Sequence, residues 1–171
     1  MSFRGAQPLN PWRWLGMPAL IALVASVVFA TPLRIFGVQL PEPAFAMVLA
    51  FSWGVIRPSI LAPFVLLLLG VLLDALWGSS LGLWSTMLLI SYAGVLATRS
   101  LMSGQSPPIM WAWYVSVTGA AMLAGCLFTT MDARGAPSWA AVGWQFFWTS
   151  LLYPFAHRLI GRFEDADVRF R

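Results

Sequence analysis

Six apolar runs of 17 to 22 residues, joined by short breakers, dominate this chain and constrain what it can fold into. They are Met17–Ile35, Leu40–Ile56, Ile60–Trp77, Leu81–Thr98, Ile109–Thr130 and Trp139–Ile160. A membrane-spanning helix needs about 20 predominantly apolar residues. Six such runs occupy most of the 171 residues and leave no room for a soluble domain. Hydrophobic residues make up 60 % of the chain and charged ones 9 %. A small domain has too much surface to hide that excess of apolar side chains from water. These numbers exclude an ordinary soluble enzyme, a disordered segment and a disulfide scaffold. They predict an all-α, polytopic membrane protein: a single domain over residues 1–171, built as a compact bundle of six transmembrane helices. The runs lack the alternation of a membrane barrel, so no sheet is expected.

The breakers are chemically legible. Pro41 and Pro43 open the second run at positions where a missing N–H costs nothing. Arg57-Pro58 closes it, because the residue before a proline is pushed out of the helical region. Gly78-Ser79-Ser80 ends the third run, and Ser80 is positioned to cap the fourth. The connector Arg99–Pro108 carries Gly104 and Pro107-Pro108. Val28-Phe29-Ala30 loosely resembles a signal-peptidase site, but Pro32 and Arg34 follow at once, so an uncleaved first helix is expected.

The ten basic residues are all arginine. With the N-terminus inside, Arg4, Arg13, Arg57, Arg99, Arg158, Arg162, Arg169 and Arg171 face the cytoplasm. Only Arg34 and Arg134 face the other side. This bias predicts both termini inside. The arginines lie between apolar runs as orientation signals rather than in a nucleic-acid-binding patch. Trp12, Trp14, Trp53, Trp77, Trp84, Trp111, Trp113 and Trp139 fall near run ends, where indoles anchor at the interface.

Few residues suggest chemistry. Asp74 is an acidic residue inside a run, one turn from the outer end of the third helix. An ionisable group at membrane depth points to function. The helix dipole disfavours a carboxylate at a C-terminus, so Asp74 needs another partner. Candidates are the Ser79 and Ser80 hydroxyls, Arg34 and Arg134. Gly70, Gly78 and Gly82 permit close backbone approach, and Gly78 suits a turning helix end. Ala22, Ser26 and Ala30 form a small-residue stripe that marks a helix contact, within the chain or with a partner. The single cysteine, Cys126, reads as a buried thiol. His157 is the only histidine and lies a membrane thickness from Ser79 and Ser80, so no nucleophile–base pair forms. No metal-ligand cluster, phosphate loop or cofactor motif occurs. The pattern points to a non-enzyme with no catalytic residue, no metal and no cofactor.

Pro41–Tyr92 resembles MreD, the small integral membrane protein of the bacterial rod-shape machinery. Three pieces carry the resemblance: the proline-led second helix Pro41–Pro58 with Phe51 and Trp53; the segment Gly70-Val71-Leu72-Leu73-Asp74-Ala75-Leu76-Trp77-Gly78-Ser79-Ser80-Leu81-Gly82; and Tyr92. At Ser80 the chain departs from the proline frequent in the family. The resemblance implies a multi-pass protein of the bacterial inner membrane that scaffolds or regulates the cell-wall elongation complex. Its implied direct partner is MreC, with MreB filaments, the glycosyltransferase RodA and its transpeptidase in the wider assembly. The family is similar in architecture to the substrate-binding subunits of energy-coupling-factor transporters. The alternative is therefore a small-molecule uptake subunit, in which Ala22, Ser26 and Ala30 would meet a coupling subunit.

Overall fold

The computed structural model describes residues 15–30, 34–35, 38–39, 44–56, 58–131 and 138–168. Its order is α1 (Met17–Ala30), β1 (Arg34–Ile35), β2 (Val38–Gln39), α2 (Phe45–Ile56), α3 (Leu61–Trp77), α4 (Leu83–Met102), α5 (Pro107–Met131), α6 (Trp139–Ser150) and α7 (Tyr153–Val168). The fold is an all-α bundle. By length and composition, one described helix, α5, is long and apolar enough to cross a membrane. The apolar helices α1, α2 and α3 are shorter.

Several expected boundaries shift. The first run does not stay helical to Ile35. Arg34 pairs with Gln39 and Ile35 with Val38 in a two-residue antiparallel ladder, the one piece of sheet among the described residues. Pro32 lies just before it and cannot donate to a continuing helix. The second helix begins at Phe45 rather than Leu40. The fourth begins at Leu83 and runs on to Met102, beyond Thr98. The fifth starts at Pro107, where two prolines occupy the first turn and their missing N–H groups cost nothing.

The sixth run is two helices rather than one. Leu151 and Leu152 form a turn between α6 and α7. Pro154 explains the break, because it has no N–H for the Ser150 carbonyl four residues back and its ring crowds that carbonyl. Beyond the break α7 continues to Val168, through most of what reads in sequence as a charged tail.

At the centre lies α2, whose residues Ala46 through Gly54 are all buried. It packs against α1, α3, α4, α5 and α7. On one side Met47, Ala50 and Trp53 join Leu66, Leu73 and Leu88. On the other, Val48 and Phe51 join Val95, Tyr114 and Ala156. Trp53 is 0 % exposed, so it is a core residue and not an interfacial anchor. Trp84 is buried as well, whereas Trp111 and Trp139 are exposed. Trp12 and Trp14 lie outside the described residues. Position near a run end does not distinguish the two kinds, because α2 has no face left for lipid or water.

Glycine sets the closest helix contacts. A Cβ on Gly70 would overlap the backbone of Ser85, so α3 and α4 meet there backbone to backbone. Beside this crossing the Ser85 hydroxyl donates to the Leu67 carbonyl at 3.1 Å. A Cβ on Gly54 would stand 2.6 Å from Val95 Cγ1, so there the α2 backbone packs against a side chain of α4.

Candidate functional site

The turn between α3 and α4 is organised around Asp74, which is 1 % exposed. Gly78 ends α3 with φ 62°, a left-handed conformation that glycine adopts without a Cβ penalty. The Asp74 carbonyl accepts the backbone N–H of Gly78 and that of Ser79, the latter at 3.1 Å. The side chain reaches further along the same stretch, to the start of α4. Oδ1 accepts the Ser79 hydroxyl at 2.6 Å and the Trp84 N–H at 3.1 Å, and Oδ2 accepts the Gly82 N–H at 2.8 Å.

Asp74 therefore caps a helix other than its own. The first N–H groups of any helix lack internal partners. Gly82, with φ 93°, holds the N-cap position of α4 and has no side chain to supply one. The sequence points to Ser80 as the cap of α4; the N-cap residue is Gly82, and the described cap bonds run to Asp74. Ser80 itself is buried in the turn. The dipole argument also resolves. A carboxylate at the C-terminus of α3 is unfavourable for α3, but the positive end of α4 lies against it. The Trp77 and Trp84 rings sit edge to face with centroids 4.6 Å apart, flanking this junction.

Of the candidate partners of Asp74, Ser79 bonds it directly. The Arg34 side chain and all of Arg134 lie outside the described residues. In the small-residue stripe, Ala22 is 6 % and Ser26 2 % exposed within the single chain, and α1 packs on α2 and α3. Both residues are buried within the chain itself. The Ala30 side chain lies outside the described residues. Cys126 is buried and unpaired with any other cysteine. His157 is exposed and stacks on Tyr153 within α7. No cluster of three or more metal-ligating side chains exists among the described residues.

Two further polar junctions join partners that the sequence does not announce. The Tyr92 hydroxyl accepts the Ser59 N–H at 3.2 Å and donates to the Ser59 carbonyl at 3.3 Å. This ties α4 to the turn between α2 and α3. The second junction surrounds the break between α6 and α7. Trp111 Nε1 donates to the Ser150 carbonyl that Pro154 cannot serve, at 3.3 Å. The Tyr114 hydroxyl donates to the Thr149 carbonyl at 3.0 Å, and the Ala44 N–H donates to the Thr149 hydroxyl at 3.1 Å. The one signal available in sequence is Pro154 four residues after Ser150, inside an apolar run.

Among the described residues the geometry supplies hydrogen-bonded turns and close helix contacts. Comparison with protein-family models, with curated proteins and with solved structures found no match to this chain.

Proposed function

We propose that this chain is a non-catalytic membrane scaffold of the MreD type, acting in the bacterial cell-wall elongation complex with MreC as its direct partner. On this reading the bundle lies in the inner membrane with both termini in the cytoplasm, and the α3–α4 turn faces outward. MreB filaments, RodA and the elongation transpeptidase belong to the wider assembly. The observation that carries the proposal is the Asp74 junction. The residues of the MreD-like segment serve one purpose together: Gly70 admits α4 against α3, Gly78 and Gly82 shape the turn, and Asp74 with Ser79 closes it. A rigid turn of this kind suits a protein that presents a surface rather than one that turns over substrate.

Replacement of the chain in a rod-shaped host tests the reading. Cells lacking it should round up, and the Asp74→Leu variant, present in the membrane at normal level, should recover less MreC on purification. Rod shape kept without the chain would overturn the proposal.

A further inference from the structure

The two halves of the broken sixth run are anchored very differently. In α7, Tyr153, Ala156 and Ile160 are buried in the core beside Val48 and Phe51 of α2. In α6 the buried residues are the last two, Thr149 and Ser150; every residue from Trp139 to Trp148 is half-buried or exposed. The hydrogen bonds from Trp111, Tyr114 and Ala44 end on those same two residues. They fix the end of α6 that adjoins the Leu151–Leu152 turn. Further along, α6 rests on α5 through the Phe146 ring, which lies 3.4 Å from where a Cβ on Gly119 would stand. That is ordinary side-chain contact, unlike the backbone crossing at Gly70. A Cβ on Gly143 would meet nothing within 4 Å.

Two buried hydroxyls lie beneath this lightly held helix. Trp111, Tyr114 and Thr118 stand at positions i, i+3 and i+7 of α5 and so share one face. The first two bond the end of α6. Thr118 continues that face along α6, and Gly119 beside it lies against Phe146. Tyr114 and Thr118 are both fully buried. Their hydroxyls adjoin each other, yet the Thr118 hydroxyl makes no well-aligned hydrogen bond. Nor does it bond its own helix, as the Ser116 hydroxyl does to the Ala112 carbonyl at 2.8 Å. A buried hydroxyl in that state is costly, and water or a ligand that reaches it recovers the cost.

We infer that α6 is a hinged lid: it pivots at Leu151–Leu152 on a fixed α7 and admits small neutral molecules, water among them, to the Tyr114 and Thr118 hydroxyls while the rest of the bundle stays closed. Hinges lie at the ends of elements, and segments with few buried contacts open at less cost than the whole fold. Opening of this kind is a property of the chain's own packing and holds with or without the membrane placement proposed above.

Thiol labelling of the purified full chain in detergent tests the lid. In a Cys126→Ala background, modification by N-ethylmaleimide is timed at Thr118→Cys and at Ser91→Cys, each rate divided by that of the same variant unfolded in SDS. Both positions are fully buried, and neither hydroxyl has a well-aligned hydrogen bond to lose, so cysteine breaks none at either. Ser91 lies on α4, which packs on α2, α3 and α5. Thr118→Cys should react about tenfold faster than Ser91→Cys. Phe146→Ala removes the ring that α6 lays on α5; it should speed Thr118→Cys by about a further tenfold and leave Ser91→Cys unchanged within about twofold. Equal rates at the two positions overturn the lid. So does a Phe146→Ala effect that is absent at Thr118 or shared by Ser91, because the route to the hydroxyls then does not run through α6.

Discussion

Replacing Asp74 with leucine removes three hydrogen-bond acceptances at once: from the Ser79 hydroxyl, the Gly82 N–H and the Trp84 N–H. The Ser79 hydroxyl can rotate to another acceptor. The two backbone donors are fixed by the left-handed Gly82 and the first turn of α4, and Trp84 is 5 % exposed. Loss of a helix cap costs about 0.5–2 kcal/mol, and a buried donor left unpaired costs about 1–3 kcal/mol. Leucine recovers part of this, since it need not be stripped of water as a carboxylate must. The expected net loss for Asp74→Leu is about 2–4 kcal/mol. Asp74→Asn keeps one oxygen, which can still serve Trp84 and Ser79, but turns an NH2 toward the Gly82 N–H, donor against donor. Its expected loss is about 1–2 kcal/mol. Equilibrium unfolding in mixed micelles of rising SDS fraction, followed by tryptophan fluorescence, measures both variants. Asp74→Leu within about 0.5 kcal/mol of the parent would refute the capping account, because surface-like neutrality cannot accompany two orphaned donors. Equal losses for the two variants would shift the account from hydrogen bonds to charge.

Three further outcomes are expected in the same unfolding assay. Gly70→Ala must drive α3 away from the Ser85 backbone and should lose about 1–3 kcal/mol; Gly125→Ala meets only the flexible Met87 thioether and should lose less than half of that. Trp111→Phe leaves the Ser150 carbonyl without its Nε1 donor and should destabilise by about 1–3 kcal/mol; adding Pro154→Ala, which supplies a backbone N–H, should restore part of the loss, and strict additivity in the double-mutant cycle would argue against the link. Ser26→Leu adds bulk at a site 2 % exposed between α1 and its neighbours and should lose about 1–3 kcal/mol; unchanged stability would return the stripe to the surface.

Much of the Asp74 junction is legible in the residues alone. A carboxylate near a helix end, followed by Gly78 and Ser79, announces a turn that needs donors, and the Ser79 hydroxyl is a donor that residue type suggests. The principal donors are not. They are backbone N–H groups of α4, and every residue but proline has one, so no residue type advertises them. Only folding α4 back along α3 brings Trp84 to Asp74 across ten residues. The break at Leu151–Leu152 is partly legible through Pro154, but apolar residues on both sides of it read as one run. The donors that satisfy it, Trp111 and Tyr114, come from another helix and carry no mark of that task.

The sequence by itself determined that the chain is helical, where α2, α3 and α5 stop, and which residues turn it. Those properties follow from local sterics: proline without an N–H, glycine without a Cβ, and long apolar runs with no strand alternation. Only the tertiary structure decided which side of each helix faces inward. A soluble helix announces its buried side through a polar opposite face. Helices such as α2 and α3 are apolar all round, so periodicity cannot orient them. Packing assigns the faces instead, by size and close contact. Gly70 draws two backbones together, Gly54 makes room for the Val95 side chain, and Trp53 fills the centre rather than the interface. Ala22 and Ser26 turn α1 toward its own bundle, and Asp74 finds its partners at the start of the next helix.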